Sequence, residues 1–361
     1  MAEKVSFYIP AFNAQNTIEL SINSVKNQTY PVDEIIIIND NSTDKTKEII
    51  SKHSDLKIIN NKNNLGLGYN RNLGIQNSSN EIIASIDSDV ELDKKWLENI
   101  IISLKKNNIV MCGGNMIEKY TSNKINAWRE KYYNQSWGNS DILNPSFLYG
   151  CNTILLKSYW EKTKGYDENL KTNGEDIDFC LEIVNSFGRN FSTEPKAVVH
   201  HPWWNNGERT YRRFFRWAYG DSNLPALHPQ HRWRNLPNTA ELLTVCFIIV
   251  YLFYMVDESF PKMMLLAISG IIAGDFFSEW VRLLVVKRIT NPIIAIESSC
   301  VRFSNDLGRV KAVVQSLKPW RITERFDYAA TGEWIWGERK WAFTRFFLQT
   351  VVTLSLIDLL M

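Results

Sequence analysis

The sequence predicts an α/β fold: a doubly wound, mostly parallel sheet over roughly residues 1–220, followed by a helical region of membrane character. Three observations carry this. Apolar runs of strand length alternate with helical patterns through about residue 200, which is the signature of a parallel sheet wrapped by helices. The run Glu34–Ile38 contains four consecutive isoleucines, as expected of a strand buried on both faces. Beyond residue 240 come three long apolar stretches, and most of the 13 tryptophans fall after residue 125.

In chain order, Val5–Ile9 reads as a strand closed by Pro10, and Ile18–Val25 has helical spacing. After the isoleucine strand, Ser42-Thr43-Asp44 opens a helix with capping chemistry that continues over Lys45–Ser51. Leu56–Ile59 is a third strand and Tyr69–Ile75 another helix. The central strand is Ile82–Ile86. It runs directly into Asp87-Ser88-Asp89, and a helix from about Lys94 to Lys106 follows. Ligands of open α/β sheets sit beyond the carboxyl ends of the strands, so this carboxylate pair lies where a substrate would be. Paired carboxylates of this kind suit a hard divalent cation held together with substrate phosphates. The competing reading, two acids polarising a turn, is set against the rest of the constellation below.

At 361 residues the chain has room for a full α/β domain and more, and a net charge of +2 gives no field that would favour nucleic acid. Five cysteines without a Cys-x-x-Cys pair predict a reducing compartment and no zinc site. The chain enters a strand within its first residues, so no secretory signal peptide is expected.

The C-terminal stretches are Leu242–Val256, Met263–Val286 (interrupted by Asp275, Glu279 and Arg282) and Phe346–Ile357. The first two, with the polar turn Asp257–Pro261, make an apolar hairpin over about 240–286. Leu242–Val256 would reach only about 22 Å, short of a hydrocarbon core of about 30 Å. The expectation is therefore a hairpin inserted but shallow, against the competing reading of a soluble helical subdomain. Residues 287–341 carry ten Lys or Arg and residues 257–262 only one, which places the hairpin's two ends on the cytoplasmic side. Ile293, Ile296, Cys300, Phe303, Leu307, Val310, Val314 and Leu317 form one stripe of an amphipathic helix, and a last apolar helix covers about 342–361.

Five features then fall in order: Pro10-Ala11-Phe12-Asn13, Asn39-Asp40-Asn41-Ser42-Thr43-Asp44, Asn70-Arg71-Asn72, Asp87-Ser88-Asp89 and Gly174-Glu175-Asp176. Together they resemble glycosyltransferase family 2, the inverting nucleotide-sugar enzymes of GT-A fold, over about residues 4–220. The resemblance implies that Pro10, Ala11 and Phe12 line a nucleobase pocket and that Asp40 accepts a base N–H. It implies that Arg71 reaches the nucleotide, that Asp87 and Ser88 lie at the ribose, and that Asp89 holds Mg²⁺ or Mn²⁺. It places Gly150 and Asn152 against the donor sugar, Asp176 as catalytic base and Glu175 in support. His200 would complete the metal site, with His201 as the competing candidate. Arg213-Phe214-Phe215-Arg216-Trp217 resembles the Q-x-x-R-W motif of processive synthases without its glutamine, so Trp217 is a candidate acceptor platform or an interfacial anchor.

The implied partners are a nucleoside diphosphate sugar, a glycan or polyprenyl-linked acceptor and a membrane, with the catalytic domain facing the cytoplasm and no nucleic acid. Two alternatives remain: a polyprenyl-phosphate glycosyltransferase, whose acceptor is already anionic, and a catalytically silent nucleotide-binding scaffold.

Overall fold

The computed structural model describes residues 3–106, 109–119, 136, 138–188, 190–202, 211–253, 260–328 and 333–360. The chain divides into two compact units, Met1–Thr210 and Tyr211–Met361.

The first unit is built on one sheet. Its strands are β1 (Val5–Ala11), β2 (Glu34–Asn39), β3 (Lys57–Asn60), β4 (Ile82–Ile86), β5 (Glu91–Leu92), β6 (Met111–Glu118), β7 (Asn152–Leu156) and β8 (Phe191–His201). Their spatial order is β3-β2-β1-β4-β7-β6-β8-β5. The helices are α1 (Ile18–Lys26), α2 (Thr46–Ile50), α3 (Leu67–Asn77), α4 (Trp96–Lys105), α5 (Lys157–Trp160) and α6 (Glu175–Phe187). β3, β2, β1 and β4 are parallel, β7 runs antiparallel between β4 and β6, and β5 runs antiparallel to β8. The sheet is thus mixed but mostly parallel. The isoleucine strand β2 lies between β3 and β1, and Ile35 to Ile38 are all buried.

Topology creates the crevice. The chain winds outward from β1 to β3 and returns to β4 on the other side of β1, so the strand order reverses between β1 and β4, and ligands collect at such a switch point. The β1–β4 register ends at Tyr8↔Ser85, while β1 continues beside β2 to Ala11↔Asn39. Pro10 therefore stands beyond the last β4 pair, where its missing N–H leaves no gap in that ladder. On the far side Ile86 faces Asn152, which brings the turn after β4 opposite the segment leading into β7.

Several elements have no counterpart in the sequence reading, among them β5, β6 and α5. β5 has two residues, β6 is interrupted by Gly113 and Gly114, and α5 has four, so none carries a periodic pattern long enough to read.

The second unit contains α7 (Arg212–Asp221), α8 (Leu224–Leu227), the antiparallel pair β9 (Arg232–Arg234) and β10 (Glu324–Phe326), and four longer helices. These are α9 (Thr239–Phe253), α10 (Phe260–Arg282, continued as π-helix to Lys287), α11 (Pro292–Ser316) and α12 (Glu333–Leu360). α10 and α12 are long and apolar enough to cross a membrane. The expected amphipathic helix is present as α11, N-capped by the Asn291 side chain. Part of the expected polar turn, residues 257–259, lies outside the described residues.

One packing contact tests the first unit directly. A Cβ on Gly74 of α3 would stand 2.5–2.8 Å from atoms of the fully buried Tyr8 ring on β1. Alanine gains about 1 kcal/mol of helix propensity over glycine, but overpacking a fixed core costs about 1–3 kcal/mol. Gly74→Ala should therefore lower the urea midpoint of unfolding, and a raised midpoint would show that Tyr8 has room to shift.

Candidate active site

The site is assembled around Arg71. This residue lies on α3, is only 2% exposed, and reaches the turn after β4 and the segment entering β7. Its Nη1 donates to Ser85 Oγ at 2.9 Å and to the Gly150 carbonyl at 2.8 Å. Nη2 meets Asp87 Oδ1 at 3.1 Å, and Nε meets Glu175 Oε1 at 3.2 Å. A guanidinium is a planar fork of donors, so one group can hold several acceptors in a fixed arrangement. Gly150 makes this possible, because a Cβ there would stand 2.8 Å from Arg71 Cζ. One side chain thereby ties the turn after β4, the entry to β7 and the start of α6.

The acids at the start of α6 differ from ordinary carboxylates. Burial, reinforced by the neighbouring Asp176, pushes Glu175 up to about 8, against the pull of Arg71. Its Oε2 is buried and has no hydrogen-bond partner among the described residues, an arrangement suited to a protonated oxygen. Asp176 is half-buried, accepts from the Gly150 and Ile177 N–H groups at 3.2 and 2.9 Å, and is also raised by burial. Cys151 lies in the same electrostatic neighbourhood. Burial, then Asp87, drive its thiol well above the usual range, Asp89 and Asp176 adding to this, so it is held as an inert neutral thiol.

Asp89 stands with its Oδ1 3.4 Å from Nε2 of His201. His200 points the other way and pairs with Asp93 Oδ1 at 2.9 Å. Successive side chains of a strand face opposite sides, so only one of the two histidines at the end of β8 can face Asp89. Among the described residues no three His, Cys, Asp or Glu side chains converge as a metal cluster.

The remaining expected residues have these positions. Pro10 and Ala11 are buried in β1, and Phe12 follows at half exposure on the rim. Asp40 is buried and accepts from Leu65 N, Gly66 N and Asn61 Nδ2 at 2.9, 3.0 and 2.8 Å, so it organises the loop before α3. Asn152 is buried between the Trp96 indole N–H and the Asn115 carbonyl at 2.8 and 3.2 Å, which fixes β7 to its surroundings. Ser88 is half-buried between the two aspartates. Trp217 lies on α7 in the second unit, with Phe214 edge-on at 5.3 Å.

The profile of Glycosyl transferase family 2 matches residues 6–163. The glycosyltransferase AglE of Haloferax volcanii is 32% identical over 216 residues, which is 58% of this chain and 70% of that protein. The chain belongs to glycosyltransferase family 2. An uncharacterized glycosyltransferase of Haemophilus influenzae is 40% identical over 166 residues, 43% of this chain and 51% of that protein. The chain thus spans only about half to two thirds of the first curated relatives it matches. In fold it is similar to the mannosyltransferase PcManGT of Pyrobaculum calidifontis, solved with GDP-Man and Mn²⁺. The TM-score there is 0.52 at 16% identity, over 84% of this chain and 87% of that one. The GT-A-like sheet is therefore that of family 2, with the helical unit following it.

The acid pair makes a pH prediction for this family 2 domain. Glu175 keeps its proton in the folded chain up to about pH 8, whereas in the unfolded chain the proton is lost near the ordinary glutamate value of 4.5. Between these values the folded state binds more protons, so stability falls as pH rises through that window. The melting temperature should decline from pH 5 to 8 in the parent and less steeply in Glu175→Gln. Identical slopes would place the shared proton elsewhere.

Proposed function

We propose that the protein transfers one sugar, with inversion, from a nucleoside diphosphate sugar to a hydroxyl of a glycan or polyprenyl-linked acceptor. The observation that carries this reading is the Arg71 hub. It ties the Asp87-Ser88-Asp89 turn and the Glu175-Asp176 helix start to the same backbone segment at Gly150. A leaving-group side and a proton-accepting side are thus fixed relative to each other, as an in-line displacement requires.

Asp176 is the base in this reading. It takes the proton of the acceptor hydroxyl as that oxygen bonds to the anomeric carbon and the bond to the diphosphate oxygen breaks. Burial raises its proton affinity, which suits the task, while two N–H donors aim the carboxylate. Protonated Glu175 beside it limits the negative charge packed around Arg71. Arg71, enclosed as it is, positions the acids, and the nucleotide would lie against Pro10, Ala11, Phe12 and Asp87.

A divalent ion fits the site. Asp89 offers a carboxylate oxygen and His201 an imidazole nitrogen at one place. Two protein donors leave the other positions to diphosphate oxygens and water, the usual arrangement for Mg²⁺ and compatible with Mn²⁺. When bound, such an ion supplies Lewis-acid stabilisation of the leaving nucleotide. The proposed metal ligands are therefore Asp89 and His201, with His200 a surface partner of Asp93.

The acceptor class and the membrane rest on the second unit. Its helices present large apolar side chains outward, among them Phe247, Tyr251, Leu265 and Phe343. An enzyme held at a bilayer meets lipid-linked acceptors in two dimensions, and the excess of cations in residues 287–341 favours the cytoplasmic face.

Two substitutions test the chemistry. Asp176→Asn should lower transfer by about 10²–10⁴-fold while leaving binding of UDP or GDP nearly unchanged. Transfer within threefold (about 0.7 kcal/mol) of the parent would move the base elsewhere. Asp89→Ala should abolish the gain in nucleotide affinity that Mn²⁺ gives the parent, read by calorimetric titration with and without the metal. An undiminished gain would remove Asp89 from the metal site.

A further inference from the structure

The second unit buries a set of polar and charged side chains while many of its large apolar ones face outward. α11 buries Glu297, Ser298, Ser304 and Asp306, whereas Ile293, Ile296, Val314 and Leu317 from its apolar stripe are exposed. A helix in water shows the opposite arrangement.

The buried polar groups form one connected layer. Arg302 of α11 bonds Asp275 at 2.8 Å and Glu279 at 2.7 Å, both on α10. Ser298 reaches Glu279 and Thr239 reaches Asp275, each at 2.5 Å, and Gln349 of α12 donates to Thr239 at 3.0 Å. The acids that interrupt the apolar stretch of α10 are thus turned inward and paired, the condition for charge at membrane depth.

α10 and α12 also pack as helices do in lipid. A Cβ on Gly270 would overlap the backbone of Thr353, and one on Gly274 that of Gln349. The register runs antiparallel, and the small residues are four apart, which allows the close backbone approach that drives association where apolar burial gives no advantage. In the most apolar windows of α10 and α12 only 28% and 11% of residues are buried, where a soluble core helix would bury most of its length.

Length decides how far the helices reach. From Lys262 to Arg282 on α10, and from Lys340 to Asp358 on α12, is about 27–30 Å at 1.5 Å per residue, against a hydrocarbon core of about 30 Å. Within the second interval the one charged residue is Arg345, which is buried and lies 3.8 Å from Asp306. The cations Arg339 and Lys340 gather at one end, and Lys262 and Asp358 lie at the other, where the sequence just before Lys262 carries Asp257 and Glu258.

We propose that α10 and α12 span a phospholipid bilayer as an antiparallel pair, with the paired polar layer in the leaflet nearer Lys340. α11 lies along that interface with its apolar stripe toward the acyl chains. Lys262 and Leu360 then emerge on the face opposite Lys340. This inference rests on the membrane association proposed above and replaces the shallow hairpin expected from sequence, because a tip bearing Lys262 and Asp358 would otherwise end inside hydrocarbon.

The test uses the full chain in sealed, oriented membrane vesicles, with Cys246 and Cys300 replaced by serine. Lys340→Cys, Lys262→Cys and Leu360→Cys are each probed with a membrane-impermeant maleimide. Where Lys340→Cys is labelled in intact vesicles, the other two should be labelled only after detergent. In vesicles of the opposite orientation the pattern should reverse. Labelling of all three from one side, with the protein retained after carbonate washing, would overturn spanning while leaving membrane association intact. Release by carbonate, as a monomer or with a second copy covering the apolar faces, would overturn both. Asp358→Cys repeats the Leu360 position should that variant accumulate poorly.

Discussion

The first unit depends on a buried guanidinium. Removing Arg71 from water carries a large desolvation cost, offset only where its donors find acceptors of fixed geometry. The chain supplies two carboxyl groups, a hydroxyl and a carbonyl from three segments: the end of β4, the entry to β7 and the start of α6. None of those segments can shift without leaving the cation short of a partner. The acids at this site therefore gain their positions from the cost of exposing or orphaning one charge. The same neighbourhood holds Glu175 protonated and Cys151 neutral, because the room for net negative charge around a single cation is limited.

In the proposed bilayer setting the second unit faces a related problem in a different solvent. Its charges are again enclosed and paired, but they face inward across helices whose outer surfaces are apolar. In water this arrangement would expose a hydrocarbon belt far larger than a monomeric protein carries. Against lipid, as proposed, the exposed apolar side chains would be covered while Asp275 and Glu279 stay paired with Arg302. Gly270 and Gly274 then matter for the distance at which two backbones can meet.

In the proposed reading the two units serve one chemistry. The first unit's site would hold the nucleotide sugar, and a second unit held at a bilayer would meet lipid-linked acceptors confined to a plane.

Much of the fold of the first unit was legible because β1, β2, β3 and β4 are apolar runs that give way to Asn or Asp, and α1 and α4 carry periodic apolar patterns. The ordered motifs placed Asp87, Asp89 and Asp176 on turns at strand ends or a helix start, where topology gathers them. Sequence could not decide which of His200 and His201 faces Asp89, since that depends on strand register and not on residue type. It gave Asp40 and Asn152 ligand roles, whereas in the fold both have their polar groups engaged by the protein itself. It pointed Arg71 at the nucleotide, because nothing local reveals that Gly150 leaves space for a guanidinium and that Glu175 lies within reach. The apolar stripe of α11 was equally visible, but its direction was not. Periodicity fixes which residues share a face, and only the partners of the opposite face, here Asp275 and Glu279 held by Arg302, decide which side turns inward.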